Sequence, residues 1–208
     1  IASCIFCIPL MAMSETYKKF GRSMGVLLHP TSLPGSPVCG SFGEPSRKWL
    51  RQLASNGIGI WQFLPLAPPD DNGSPYNSPS SFALNPWLLD AKELVNKGFV
   101  NESVFSKLPG SNNCQENPGS VNFELAELRS QSLGKALKEA WSSQTPETHR
   151  IFNLWCEKQL WLEDHSSFME LRRQNNGLPW WEWEKDLSLH KINALKRWKK
   201  NNHDLLLE

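Results

Sequence analysis

Residues 24–28 (MGVLL) and 58–64 (IGIWQFL) are two short apolar runs, each passing directly into a proline-rich loop. Apolar runs of this length bounded by turn residues read as buried strands. Between them, Glu44 and Pro45 suit a first helical turn, Trp49, Leu50 and Leu53 share one face, and Gly57 provides a stop. Strand, helix, strand is one βαβ unit. Two strands apolar throughout predict a parallel sheet covered on both faces, so the fold class is α/β. The two long loops, HPTSLPGSPVCGSFG (residues 29–43) and the stretch after Leu64, then follow the carboxyl ends of adjacent parallel strands.

The second loop constrains function most. WQFLPLAPPDDNGSPYNSPSSFALNP (residues 61–86) turns from an apolar run into Pro, Gly, Asn and Ser with one Tyr. Loops of that length without structure of their own are usually functional or disordered. Aromatic and small polar residues in place of Glu, Lys and Gln argue against disorder. Ser74, Tyr76 and Asn77 put a hydroxyl, a phenol and an amide side by side between Pro75 and Pro79, a set suited to a sugar; a well-packed structural loop reads equally well from these residues alone.

Further along, Asp90 with Glu93 has capping-box spacing for a short helix ended by Gly98. Residues 105–121 are rich in Pro, Gly, Asn and Ser and mark a surface connection or a subdomain boundary. Leu133, Ala136, Leu137, Ala140 and Trp141 recur at helical spacing. Thr145 and Pro146 start a second helix carrying Ile151, Leu154, Trp155 and Leu162. GLPWWEW (residues 177–183) breaks the helical run, and a basic segment, residues 191–200, follows.

Composition narrows the partners. The chain has 208 residues, 39% of them hydrophobic, enough for a core, and a formal net charge of +1. Neutral partners fit that balance better than nucleic acid or a membrane surface. Lys196, Arg197, Lys199 and Lys200 around Trp198 are read as a solvated helical face for the same reason. Ten Trp against two Tyr supply flat rings suited to stacking on sugars or, for most of them, to filling a core. Cys4, Cys7, Cys39, Cys114 and Cys156 cannot all pair and have no framework spacing, which points to a reducing compartment, the cytoplasm. Cys4 and Cys7 form a lone C-x-x-C with no second pair, so no metal and no cofactor is expected. Residues 1–12 resemble a signal h-region without its basic flank, and Met13 reads as a start, so that stretch is expected to be a tail.

Catalytic groups are sparse. Ser32 and Ser74 lie in loops without a nucleophile elbow or an assignable His and acid. His29 at a strand end is expected to be hydrogen-bonded in place. Asp70 and Asp71 suit turn formation, and Glu163 and Asp164 suit caps or ion pairs.

Four segments carry a resemblance: GVLLHPTSLPG (residues 25–35), WQFLPL (61–66), SPYNSPSSFALNP (74–86) and GLPWWEW (177–183). Together, in this order, they resemble the 4-alpha-glucanotransferase family, also called amylomaltase or disproportionating enzyme. The resemblance implies the first units of a (β/α)8 barrel with an inserted, largely helical subdomain. It implies retaining transfer of 1,4-α-glucan segments between maltooligosaccharides, with an Asp nucleophile, a Glu acid and base, and a second Asp on later strands. A barrel needs about 250 residues, so an incomplete one is expected here, with residues 13–100 forming its first units and 101–208 the helical subdomain, cut off at its end. No catalytic residue is carried over, and this stretch alone is expected to be inactive and marginally stable. Tyr76 is the expected donor-sugar contact, with Ser74 beside it. A non-catalytic α-glucan-binding module is the alternative. Cys39 and Leu84 stand where the family favours Gly, and Cys39 is expected to perturb its loop, since it cannot take positive φ as Gly does.

Overall fold

The computed structural model describes residues 22–35, 38–70, 72–111 and 121–202. The expectations for the tail at residues 1–12, the start at Met13, Cys4, Cys7, Cys114 and Asp71 lie outside the described residues.

Strand β1 (Gly25–Leu27), helix α1 (Glu44–Ser55) and strand β2 (Ile60–Gln62) form the predicted βαβ unit. The strands pair in parallel, with Gly25 opposite Ile60, Val26 opposite Trp61 and Leu27 opposite Gln62. Helix α1 starts with Glu44 and Pro45 in its first turn, where a carboxylate complements the dipole and proline loses no hydrogen bond. It stops at Asn56, followed by Gly57 at φ +70°, a left-handed conformation that glycine adopts without strain.

The sheet departs from expectation in its cover. Leu27 is 57% exposed and Ile60 41%, with Met24 and Phe63 also open. Side chains alternate across a strand, so apolar residues throughout need both faces covered. Among the described residues, the cover on these is only partial.

The hydrophobic core lies instead among helices. Helices α2 (Ala91–Asn96), α3 (Glu102–Phe105) and α4 (Phe123–Trp141) enclose a cluster of Ala91, Leu94, Val100, Leu108 and Leu133. Asp90 caps α2 as its spacing predicts, its Oδ1 accepting from the backbone N–H of Lys92 (2.9 Å) and Glu93 (3.1 Å). Its Oδ2 accepts from the Ser41 hydroxyl at 2.7 Å, tying the first loop to this core. Gly43 leaves room for that carboxylate, since a Cβ there would lie 2.0 Å from Asp90 Oδ2.

Helix α5 (Pro146–Glu157) begins where Thr145 and Pro146 predict, but it does not reach Leu162. It ends at Glu157, Gln159 and Leu162 close turns on Cys156 and Gln159, and α6 (Leu162–Gln174) begins anew. No Gly or Pro lies between residues 147 and 176 to signal this break. Leu160 at the turn is almost fully exposed.

The chain divides into two compact units, Ile1–Trp155 and Cys156–Glu208. The second contains α6, a 3-10 turn at Trp180–Glu182, α7 (Lys185–Ser188) and α8 (Ile192–Asn201). Its GLPWWEW segment is the predicted break: Asn176 and Gly177 take positive φ. Trp183 then folds back, its Nε1–H donating to Leu178 O at 2.9 Å while its ring lies against Phe168. In the basic helix α8, Lys199 pairs with Glu163 and Asp164, and Trp198 Nε1 donates to Gln174.

Candidate substrate-binding site

The loops after β1 and β2 meet at the strand ends. Trp61 in β2 reaches across the pair, and its Nε1–H donates to Leu28 O at 2.8 Å. Phe42 and Phe63 contact its ring edge-on. His29 makes the second link. Its Nε2–H donates to Pro65 O at 3.4 Å, which leaves Nδ1 to accept from the Thr31 hydroxyl at 2.8 Å. Burial holds the His29 pKa below the ordinary 6.5, partly offset by the bond to Pro65. His29 is thus held in place, as its position at a strand end leads one to expect.

The first loop is fixed by close backbone approach. Gly40 N–H donates to Thr31 O at 2.6 Å, and a Cβ at Gly40 would lie 1.9 Å from Pro30 O. Only glycine fits. The neighbouring Cys39 does not perturb the loop as expected: among the described residues, Asn176 and His190 are the only non-glycine residues at positive φ. The tight constraint falls on Gly40, one residue later, so a side chain at 39 is tolerated. Cys39 Sγ–H points to Trp87 O at 3.6 Å, and burial pushes the thiol pKa up to about 11 against the opposing influence of Arg129. A thiol so held is a packing group rather than a nucleophile at neutral pH. Leu84, the other departure, also keeps an ordinary φ, with its side chain exposed.

The second loop is organised by one carboxylate. Asp70 Oδ1 accepts from the backbone N–H of Asn72 (3.0 Å) and Ser74 (2.8 Å), while Oδ2 accepts from Asn77 Nδ2 at 3.1 Å. Two backbone bonds close the turn from the other side, Asp70 N–H to Ser74 O and Gly73 N–H to Asp70 O. The Ser74 backbone bond and then the Asn77 amide hold the Asp70 carboxyl below its ordinary 3.8. The turn role expected of Asp70 is the one it plays. Tyr76 stands between the two anchored residues, 73% exposed. Ser74 is half-buried at the base of the same turn.

Helix α4 backs this loop. Gly73, at φ +76°, lies so close to Phe123 that a Cβ would come within 2.5 Å of its ring. Phe123 in turn stacks on Trp87, with ring centroids 5.6 Å apart and an interplanar angle of 23°. Trp87 Nε1 donates to Glu127 at 2.8 Å, and its backbone N–H to Asn85 Oδ1 at 2.9 Å. Buried Ala83 and Asn85 pin the loop's far end. The sequence offers no signal for this support, because Phe123 and Glu127 are far along the chain and look like any helical residues.

Chemically, the arrangement offers groups that can bind, and among the described residues no pair of carboxylates faces each other across a gap. Asp70 is spent on the turn, and Glu163 and Asp164 pair with Lys199 in the second unit. Among the described residues, no three His, Cys, Asp or Glu side chains converge to hold a metal ion, and no helix is long and apolar enough to cross a membrane.

Residues 28–207 match the family model described as 4-alpha-glucanotransferase, glycosyl hydrolase family 77. The 4-alpha-glucanotransferase of Thermus thermophilus is 36% identical over 181 residues, which cover 84% of this chain and 34% of that protein. That of Synechocystis sp. is 33% identical over 179 residues, 85% of this chain and 34% of its own length. The chloroplastic/amyloplastic 4-alpha-glucanotransferase of Arabidopsis thaliana is 32% identical over 178 residues, 84% of this chain and 30% of its own. The chain thus spans about a third of the length of these relatives. Among solved structures, an amylomaltase from Streptococcus agalactiae in complex with acarbose superposes with a TM-score of 0.81 at 23% identity, covering 90% of this chain and 37% of that one. At that identity the likeness speaks to the fold alone, and it supports the α/β class.

Proposed function

Because this chain belongs to the 4-alpha-glucanotransferase family, we propose that it supplies the donor-side sugar wall of an enzyme that transfers 1,4-α-glucan segments between maltooligosaccharides. The observation that carries this is the second loop: a single carboxylate locks Ser74 and Asn77 and leaves Tyr76 exposed between them. A preorganised loop binds a flexible sugar without first losing its own conformational freedom. The phenol ring offers an apolar face with a hydroxyl at its tip, matched to a pyranose that has C–H groups on its faces and hydroxyls at its edge. Tyr76 is the contact residue in this reading, and Ser74 the second.

The reaction follows the retaining course. A carboxylate attacks the anomeric carbon, a protonated carboxyl gives its proton to the departing reducing-side glucan, and an acceptor hydroxyl, returning a proton to that carboxylate, displaces the enzyme from the face the glucan vacated. None of these groups is assigned within this chain. Its residues bind and orient; the first βα unit forms the start of a barrel, residues 101–208 are an inserted, largely helical subdomain, and the working compartment is the cytoplasm. Neither a cofactor nor a metal has a step in this scheme.

The test compares the complete protein that carries this chain with the 208-residue chain alone on maltotriose. Disproportionation to glucose and longer oligosaccharides is expected from the first and none from the second. Absence of transfer by the complete protein overturns the reading. The alternative, a non-catalytic α-glucan-binding module, draws on the loop's being held wholly by residues of this chain. It requires the 208 residues alone to bind maltotriose, with binding lost in Tyr76→Ala while the fold persists.

A further inference from the structure

The Asp70 carboxylate does more than close a turn. Its two oxygens serve different partners: Oδ1 takes the backbone N–H groups of Asn72 and Ser74, and Oδ2 takes the side-chain amide of Asn77, seven residues away. An ionised carboxylate only accepts hydrogen bonds. The Asn77 atom facing it must therefore be the NH2 group, and the amide cannot turn over without setting oxygen against oxygen. Asn77 is exposed. Its nitrogen is committed to Asp70, and among the described residues its carbonyl oxygen takes no hydrogen bond.

We infer that Asp70 fixes the Asn77 side chain so that its carbonyl oxygen accepts a hydrogen bond from one hydroxyl of the bound glucan. Asn77 is then a substrate contact beside Tyr76, and Asp70 is a positioning residue acting through it. This rests on the donor-wall reading of the loop. The consequence is a polarity at the site: a free amide can donate or accept, and a sugar hydroxyl can do either. Once the amide is fixed, the hydroxyl opposite must be the donor. Replacing Asp70 by Asn lifts that restriction. The new side chain keeps an oxygen for the backbone of Asn72 and Ser74 but sets an NH2 where Oδ2 stood, so Asn77 turns its oxygen inward and presents its own NH2 to the sugar.

Fluorine in place of a hydroxyl tests this, because it can accept weakly but cannot donate. The probes are maltotriose and a set of its monodeoxy-monofluoro analogues, with the affinity of each read as the KM of its initial transfer by the complete protein that carries this chain. For the unsubstituted protein, one fluoro position is expected to bind about fivefold more weakly than maltotriose, the loss of one neutral hydrogen bond. Asn77→Leu, of similar size, is expected to weaken maltotriose itself about fivefold and to abolish the penalty at that same position. Asp70→Asn is expected to shrink that penalty while leaving the fluoro penalties elsewhere unchanged. A loop merely loosened by substitution would weaken every analogue alike. Fluoro penalties identical in the unsubstituted protein and both variants overturn the inference and leave the donor-wall reading standing. Failure of the unsubstituted protein to bind maltotriose overturns both.

Discussion

The indole N–H of Trp61 donates to the backbone carbonyl of Leu28, so a side chain from one strand completes the hydrogen bonding of the other just where the two loops depart. Trp61→Phe keeps an aromatic ring against Phe42 and Phe63 but removes the donor. A stability loss of about 1 kcal/mol is expected, the net worth of one hydrogen bond. Urea unfolding of the variant beside the unsubstituted chain measures it, and an unchanged midpoint contradicts it.

Gly73 is expected to resist substitution for two separable reasons. Alanine there meets the Phe123 ring and must also hold a positive φ. Gly73→Ala should cost about 1–3 kcal/mol, the range for a backbone strained at one residue. In Phe123→Ala the collision disappears but the strain remains, so the glycine substitution should cost less there, yet still more than zero. A double-mutant cycle on unfolding free energies reads the difference.

Acid should loosen the loop through Asp70. Its carboxyl titrates below the ordinary 3.8 because the Ser74 N–H and the Asn77 amide favour the ionised form. A depressed folded pKa contributes stability that is present above the unfolded value and is lost as pH falls through the folded one. The loop is therefore expected to stay ordered through pH 3.8 and to loosen below it. NMR titration of the Asp70 carboxyl carbon provides the check, and a midpoint at or above 3.8 refutes the assignment.

Asp90→Ala removes both the cap of α2 and the acceptor for Ser41. Loss of a cap costs about 0.5–2 kcal/mol, and the loss of the bond from Ser41 to the same carboxylate places this case toward the upper end. Asp90→Asn retains an acceptor for the helix and should lose less. Thermal unfolding of the two variants ranks them.

What the sequence discloses follows from how locally each feature is determined. The cap at Asp90, the stop at Gly57 and the parallel pairing of residues 25–27 with 60–62 depend on neighbours or on an apolar run, and all are readable in the letters. The end of α5 at Glu157 is not, because no residue there opposes a helix on its own account. The exposure of Leu27 and Ile60 is likewise hidden: an apolar residue states what it could bury, and the described residues leave these two open. At the site, the turn role of Asp70 is legible from Asp, Asn and Gly in sequence. Its grip on Asn77 and the stacking of Trp87 on Phe123 depend on side-chain directions that no spacing rule encodes. The strain expected at Cys39 fails because a motif marks which loop is tight but not which residue carries the tightness.

The open side chains of Met24, Leu27, Ile60 and Phe63 also bear on how a preparation of this chain behaves on the bench. Among the described residues the two short parallel strands pair only with each other, next to oily residues, and open strand edges recruit other chains. Association of this kind rises with concentration. Dilute handling, or a solubilising fusion, becomes the condition under which every binding measurement on them has meaning.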